Sequence, residues 1–331
     1  MKALLTALGA VLSIATLFAL TPEILQSVEA VPAHVAGRFR DPKGFQQWAP
    51  GWYVVFDRRA HIVYGVDRER AWPIVHLGPE PGRLIGPTAF SLAPDGSFAV
   101  ADAPGNQDRI QIFGPAGFRS AGFMLPGRTR PRVTFNDVVM SGIGSLHYDG
   151  TSILIAQPET GALVTEYSLT GEPRRTFGRL RATGHERDQD VHLALNSGIP
   201  LVDPRGGFYF VFQAGEPAFQ KFDRDGQLQF ERRIQGVEID GLIAALPSRW
   251  PRKDDELPFV KPTIRAAAVD AHGNLWLSFV VPYTYVFDPQ GDKSRIVQFR
   301  AAGILTPDSL FFGPGGRLLV TPGLYEFEVE K

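Results

Sequence analysis

The chain has 331 residues, with 34 Lys and Arg against 35 Asp and Glu, and no cysteine. The absence of cysteine excludes disulfides, thiolate metal sites, a thiol nucleophile and a lipid carried on an N-terminal cysteine. The balance of charge gives no electrostatic case for a nucleic-acid partner or for adsorption to an anionic membrane.

The first thirty residues differ from the rest. Lys2 is the only charge before an apolar run, Ala3 to Leu20, and Val28-Glu-Ala30 offers small residues where a signal peptidase cuts. Residues 1–30 are therefore expected to be a secretory signal peptide and residues 31–331 a single domain, placed in the periplasm or secreted. The apolar run is also about as long as a short membrane-spanning helix, so attachment to a membrane follows if the segment is retained.

Beyond the leader, strand signals recur. Val35–Arg40 is a short spare strand. A first unit follows at Phe45–Trp48, Trp52–Phe56, His61–Val66 and Trp72–Leu77. The second is Ala89–Leu92, Phe98–Ala101, Ile110–Phe113 and Arg119–Met124. The third is Gly144–Tyr148, Ser152–Ala156, Leu163–Ser168 and Arg174–Phe177, and the fourth Gly198–Val202, Phe208–Phe212, Ala218–Phe222 and Leu228–Ile234. The fifth is Ile264–Val269, Leu275–Phe279, Tyr283–Phe287 and Ser294–Phe299. A last unit has three strands, Ser309–Phe312, Arg317–Val320 and Tyr325–Glu330.

Each unit is built on one phrase, clearest in Val269-Asp-Ala-His-Gly-Asn-Leu-Trp-Leu-Ser-Phe279 and repeated in Val202-Asp-Pro-Arg-Gly-Gly-Phe-Tyr-Phe210. An apolar lead-in reaches an Asp, a Gly turn follows, and an alternating strand leaves it. Gly supplies the positive φ of a tight hairpin, and alternation of apolar with other residues is the strand signal. The turn glycines Gly51, Gly96, Gly150, Gly207, Gly273 and Gly316 lie 43 to 66 residues apart. Four short strands with their turns need roughly 40–50 residues, the period of a propeller blade. A second turn, as in Phe222-Asp-Arg-Asp-Gly226 and Phe287-Asp-Pro-Gln-Gly291, joins the third strand of a unit to its fourth.

The Asp-x-x-Gly strand followed by an apolar-Phe-Asp-x-x-Gly turn resembles the NHL-type and related six-bladed β-propellers over nearly all of residues 31–331. The resemblance implies an all-β, six-bladed ring of four-stranded antiparallel blades. The N-terminal strand Val35–Arg40 would complete the last blade and close the ring, removing an open sheet edge. It does not imply an activity, because propellers host many.

In such a meander the loops between strands 2 and 3 share a face with the connections between blades. The long connections Pro126–Ile143, Gly178–Ser197 and Gln235–Thr263 therefore fall on a single face, and insertions gathered on one face mark a binding face. There Asp102, Asn106, Arg109, Asn136, Asp137, Arg249 and Trp250 are candidate ligand-binding residues, and Arg beside Trp suits anionic or sugar-like ligands. His185, Glu186, Asp188 and His192 supply donor types for a divalent cation, Ca, Zn or Mn, and equally suit a solvated loop. The leading expectation is a binding scaffold for a protein, peptide or carbohydrate. The alternative is a metal-dependent hydrolase, lactonase or lyase with a cation in the central channel. Asn136, Asp137 and Asn196 invite comparison with gluconolactonase-like propellers, but the first inner strand, Phe45-Gln-Gln-Trp48, lacks the Glu which that resemblance requires.

Overall fold

The computed structural model describes residues 20–127, 133–135, 138–140, 142–250, 256–302, 304 and 306–329. The chain begins there with β1 (Glu23–Ala30) and a one-turn helix α1 (Ala33–Ala36). Strands β2 (Pro42–Ala49), β3 (Trp52–Asp57), β4 (Ile62–Val66) and β5 (Ala71–Val75) make an antiparallel meander. So do β6 (Ala89–Leu92), β7 (Phe98–Asp102), β8 (Arg109–Phe113) and β9 (Arg119–Met124). After β10 (Val133–Phe135) and β11 (Val138–Met140) comes a sheet of β12 (Leu146–Tyr148), β13 (Ile153–Ala156), β14 (Ala162–Tyr167) and β15 (Pro173–Arg179).

Helix α2 (Gln189–Leu195) leads into β16 (Gly198–Val202), β17 (Phe208–Phe212), β18 (Ala218–Phe222) and β19 (Leu228–Arg233). Helix α3 (Asp240–Ala244) and β20 (Phe259–Val260) precede β21 (Ile264–Val269), β22 (Leu275–Phe279), β23 (Thr284–Phe287) and β24 (Lys293–Arg300). The chain finishes with β25 (Ser309–Phe312), β26 (Leu318–Thr321) and β27 (Tyr325–Phe327).

Four of the sheets are separate four-stranded meanders, and an eight-stranded sheet runs β21-β22-β23-β24-β1-β27-β26-β25. This is an all-β propeller of four-stranded antiparallel sheets. Aromatic side chains fill the gaps between neighbouring sheets. Phe56 stacks on Phe90 with ring centroids 5.5 Å apart, Phe177 meets Phe208 at 5.1 Å and Phe219 meets Phe287 at 5.0 Å, and within the eight-stranded sheet Trp276 meets Phe312 across its two halves at 5.5 Å. Each such pair adds about 0.5–1.5 kcal/mol beyond the area it buries.

The repeated phrase acts as expected. All the turn glycines from Gly51 to Gly316 named above have φ between 74° and 95°. At Gly207 a Cβ would also lie 2.3 Å from the carbonyl oxygen of Phe222, so both conformation and space demand glycine. The Asp of the phrase closes the turn from inside. Asp270 accepts from the amides of His272 and Asn274, from the Asn274 side chain and from the indole N–H of the fully buried Trp276. Asp223 and Asp288 each take two amides of the later turn in the same way.

The closing strand is not the expected one. Val35 and Ala36 of the supposed strand Val35–Arg40 belong to α1, in which the Pro32 carbonyl accepts from the Val35 and Ala36 amides and Val35 is fully buried. The edge of β27 is filled instead by β1, antiparallel, with Ser27 opposite Phe327 and Ala30 opposite Tyr325. The first half of β1 pairs parallel with β24, from Glu23 opposite Val297 to Gln26 opposite Arg300. Arg295 forks onto the Glu23 carboxylate at 2.7–2.9 Å. A segment expected within the leader thus contributes to the folded domain. Among the described residues no helix is long and apolar enough to cross a membrane.

Candidate functional site

The three long connections, expected on a single face, also meet there. β10, from the first, pairs parallel with β20, from the third, and α2, from the second, packs against both. Together they bury their own small core of Val133, Val191, Ala194, Leu195, Ala214 and Val260, with Trp250 laid against it. A cap of this kind forms because each connection carries a few apolar residues that no single loop could remove from water.

Beside the cap lies a cleft of about 570 Å³. Its walls carry Arg181, Thr183 and His185 from the second connection, Glu216 from the loop between β17 and β18, Glu231 and Arg233 from β19, and Trp250 from the third connection. Arg181 forms the floor. Its guanidinium donates to the carbonyls of Glu216 and Leu195, both at 2.9 Å, and of Ala214, and stands 4.1 Å from the centre of the Phe212 ring. Burial pulls its pKa down to about 10, and the nearby Glu231 and Glu216 oppose the shift, so it stays charged at neutral pH. At the rim the Glu216 and Arg233 side chains are 64% and 75% exposed and only 3.8 Å apart, leaving both charges open to an incoming group.

A second space runs along the axis. This channel, about 330 Å³, is lined by residues of β2, β6, β12, β16, β21 and β25, the first strands of their meanders. Lys43, Arg58, Arg265 and Asp308 ring the end that opens on the same face as the cap, because they stand where the first strands begin and β3 ends. A chain of ion pairs links them. Arg58 meets Asp41 at 2.8 Å, Lys43 bridges Asp41 at 3.2 Å and Asp308 at 2.9 Å, and Arg265 meets Asp308 at 2.8 Å. Deeper in, the wall includes Phe90, Ile199, Leu201, Ala267 and Phe311, and among its polar members are Gln46, Ser91, Ser145, His147 and Gln213. Burial drives the His147 pKa down to about 4, against a smaller upward pull from Asp149, so the imidazole is neutral at pH 7.

Of the expected ligand-binding residues, Trp250 reaches the cleft and Arg249 is exposed next to it. His185, expected as a metal donor, lines the same cleft. Asp102 and Arg109 are buried and bound to each other, Nε to Oδ1 at 2.9 Å and Nη2 to Oδ2 at 2.6 Å. The Arg109 guanidinium also holds the carbonyls of Pro79 and Arg83, and Asp102 holds the amide of Ile85, so this pair fixes the connection before β6. Asn106 sits exposed in the same loop at φ 60°. Asn136 and Asp137 lie outside the described residues.

The acidic and histidine run is engaged in local structure. Glu186 accepts from the amides of Thr183 and Gly184, which with its own amide hold its carboxyl below the usual range. Asp188 caps α2 by accepting from Val191, and His192 Nδ1 lies 2.7 Å from the Thr183 hydroxyl. Asn196 is fully buried and ties both backbone groups of Arg181 to the end of α2. Among the described residues no three His, Cys, Asp or Glu side chains converge in a way that would hold a metal ion. Sequence reasoning missed Arg181, Glu216, Glu231 and Arg233. The alternation of Glu231 and Arg233 on an outer strand was the available signal, and nothing in it pointed to a cleft.

No protein-family model matches the chain, and no curated protein matches it in sequence. Solved structures match it in fold. A gluconolactonase from Xanthomonas campestris aligns with a TM-score of 0.51 at 16% identity, over 87% of this chain and 85% of that one. Virginiamycin B lyase from Staphylococcus aureus aligns at 0.50 and 13%, over 85% and 77%. The WD40 β-propeller domain of Doa1 aligns at 0.50 and 7%, over 93% and 97%. At such identities the likeness is one of fold alone, and the fold it establishes is the β-propeller.

Proposed function

We propose that the chain is an exported, NHL-like propeller of six blades, a binding scaffold that takes its ligand in the cleft on the loop-rich face. The blade count treats the eight-stranded sheet as two blades spliced by β1. Export implies a leader that ends before Glu23, since a cut after Ala30 would remove β1, and the mature protein then works in the periplasm or outside the cell. Of the ligand classes the fold admits, protein, peptide or carbohydrate, the cleft favours a polypeptide.

The observation that carries this reading is the open Glu216–Arg233 pair beside Trp250. A polypeptide brings charges of both signs and apolar side chains, and it can satisfy both rim charges at once. Trp and Arg are also the residue types on which protein interfaces concentrate their energy.

The test is capture from an envelope fraction with three baits, the wild type, Trp250→Ala and Arg233→Glu. A partner held by the wild type and lost from both variants, at unchanged melting temperature, is the expected result. Equal capture by all three baits, or none by any, overturns the reading.

A further inference from the structure

The central channel takes no part in the cleft, and its chemistry is divided along its length. All the charged side chains in its wall stand at one mouth: Lys43, Arg58 and Arg265 against Asp308, with Asp41 completing the ion-pair chain behind them. Three cations meet two carboxylates, so one positive charge is left over. Asp57, nearby, does not cancel it by contact, because its carboxylate is taken up by the amides of Arg40, Asp41 and Ala60. Donors remain as well. Arg265 commits one of its five N–H groups to Asp308, and its side chain is 36% exposed.

Below the mouth the wall carries no formal charge and mixes apolar with neutral polar side chains, among them Ser91, Ser145 and Gln213. Phe90, Phe311, Ile199, Leu201 and Ala267 form its apolar part, the waist. The side-chain oxygen of Gln46 is buried there without a hydrogen-bond partner. A buried acceptor left unsatisfied is costly, and a donor group on a ligand would relieve that cost. A volume of about 330 Å³ lies in the range of small-molecule sites.

We infer that the channel binds a small amphiphilic anion, with one carboxylate, sulfonate or phosphate at the Lys43–Arg58–Arg265 mouth and a flat apolar body in the waist. The cationic donors at the mouth select a negative group, and Phe90, Phe311 and the aliphatic side chains beside them select the body. Arg265 is the specificity residue. It is the most exposed of the three cations and the one whose remaining donors a ligand head can reach without breaking the Lys43 bridges.

The test uses two fluorescent probes that differ by one group, anilinonaphthalene sulfonate and the uncharged phenylnaphthylamine, titrated into the full-length protein. A single equivalent of the sulfonate binds, and the uncharged probe binds about tenfold more weakly, the value of one charge-assisted contact. Arg265→Gln removes that difference, and Ala267→Phe fills the waist and abolishes binding of both probes. Equal affinity for the two probes, or sulfonate binding unchanged in Arg265→Gln, overturns the inference. Melting temperatures are recorded for each variant. Should Ala267→Phe fail to fold, the exposed Arg265→Gln decides the matter by itself. Trp250→Ala, in the cleft, leaves probe binding unchanged, so failure here is separable from failure of the proposed scaffold function.

Discussion

The two faces of the ring are held by opposite means. On the tight-turn face one device is repeated: a carboxylate from the strand end plugs the amides of its own turn, as at Asp149, Asp223, Asp270 and Asp288. On the loop-rich face three connections each have a different fastening. Asp102 and Arg109 clamp the connection before β6, Arg181 and Asn196 clamp the one before β16, and Tyr285 holds Glu238 of the one before β21 at 2.5 Å. The first face is redundant, so its residues are used up by the fold. The second is individual, and its leftover groups can be given to a ligand. Charges that serve the scaffold are satisfied locally, whereas those that serve recognition stay exposed and loosely paired.

That contrast can be broken in graded steps. The largest effect is expected from Asp102→Ala. It strands the Arg109 guanidinium in the interior, and removing one partner of a buried pair costs about 3–5 kcal/mol. Urea unfolding should show it, and a loss below 1 kcal/mol would mean that water or nearby carbonyls replace the carboxylate. Asp270→Ala comes next. It leaves the indole N–H of Trp276 and two turn amides without their acceptor, which costs about 1–3 kcal/mol. Because neighbouring turns carry their own carboxylates, the loss should stay local, with hydrogen exchange rising at residues 270–276 and not in other blades.

The effect that is smallest at neutral pH sits between the faces, in the channel wall. The folded-state pKa of His147, about 4, lies below the ordinary histidine value near 6.5. Between those values the unfolded chain takes up a proton that the folded one refuses. The stability tied to this group is therefore complete above pH 6.5 and is lost as the pH falls through 4. His147→Gln should flatten this limb of the stability profile, and an unchanged limb would place the acid sensitivity elsewhere.

The repeated device was legible because its chemistry is local. An Asp two to four residues ahead of the amides it binds leaves a pattern that recurs, and the β-meander follows from it. That the long connections share one face was legible too, from chain direction alone, whereas their packing into a cap was not. Nor was the cleft. Arg181, Glu216 and Arg233 come from separate strands and loops, and no spacing records that they share a wall. Trp250 was visible because a Trp flanked by Arg and Pro stands out in a loop. The closing strand was misplaced for a different reason. Ser27, Val28 and Ala30 are small enough for a protease site and extended enough for a sheet edge, and local sequence cannot tell these apart. Val35 was read as the start of a spare strand, but its amide and that of Ala36 both donate to the Pro32 carbonyl in a turn of helix.

The splice made by β1 also governs how the ring can be assembled. Glu23 lies opposite Val297, and Ala30 opposite Tyr325. A ribosome delivers the first of these residues long before the last. The early segment has no berth until nearly the whole chain has been made, while each intervening meander can zip up from its own hairpins. Contacts of such long range are slow to form. The segment that emerges first is thus among the last to dock, and until it does, the edges of β24 and β27 stand open like the two ends of an unfastened collar.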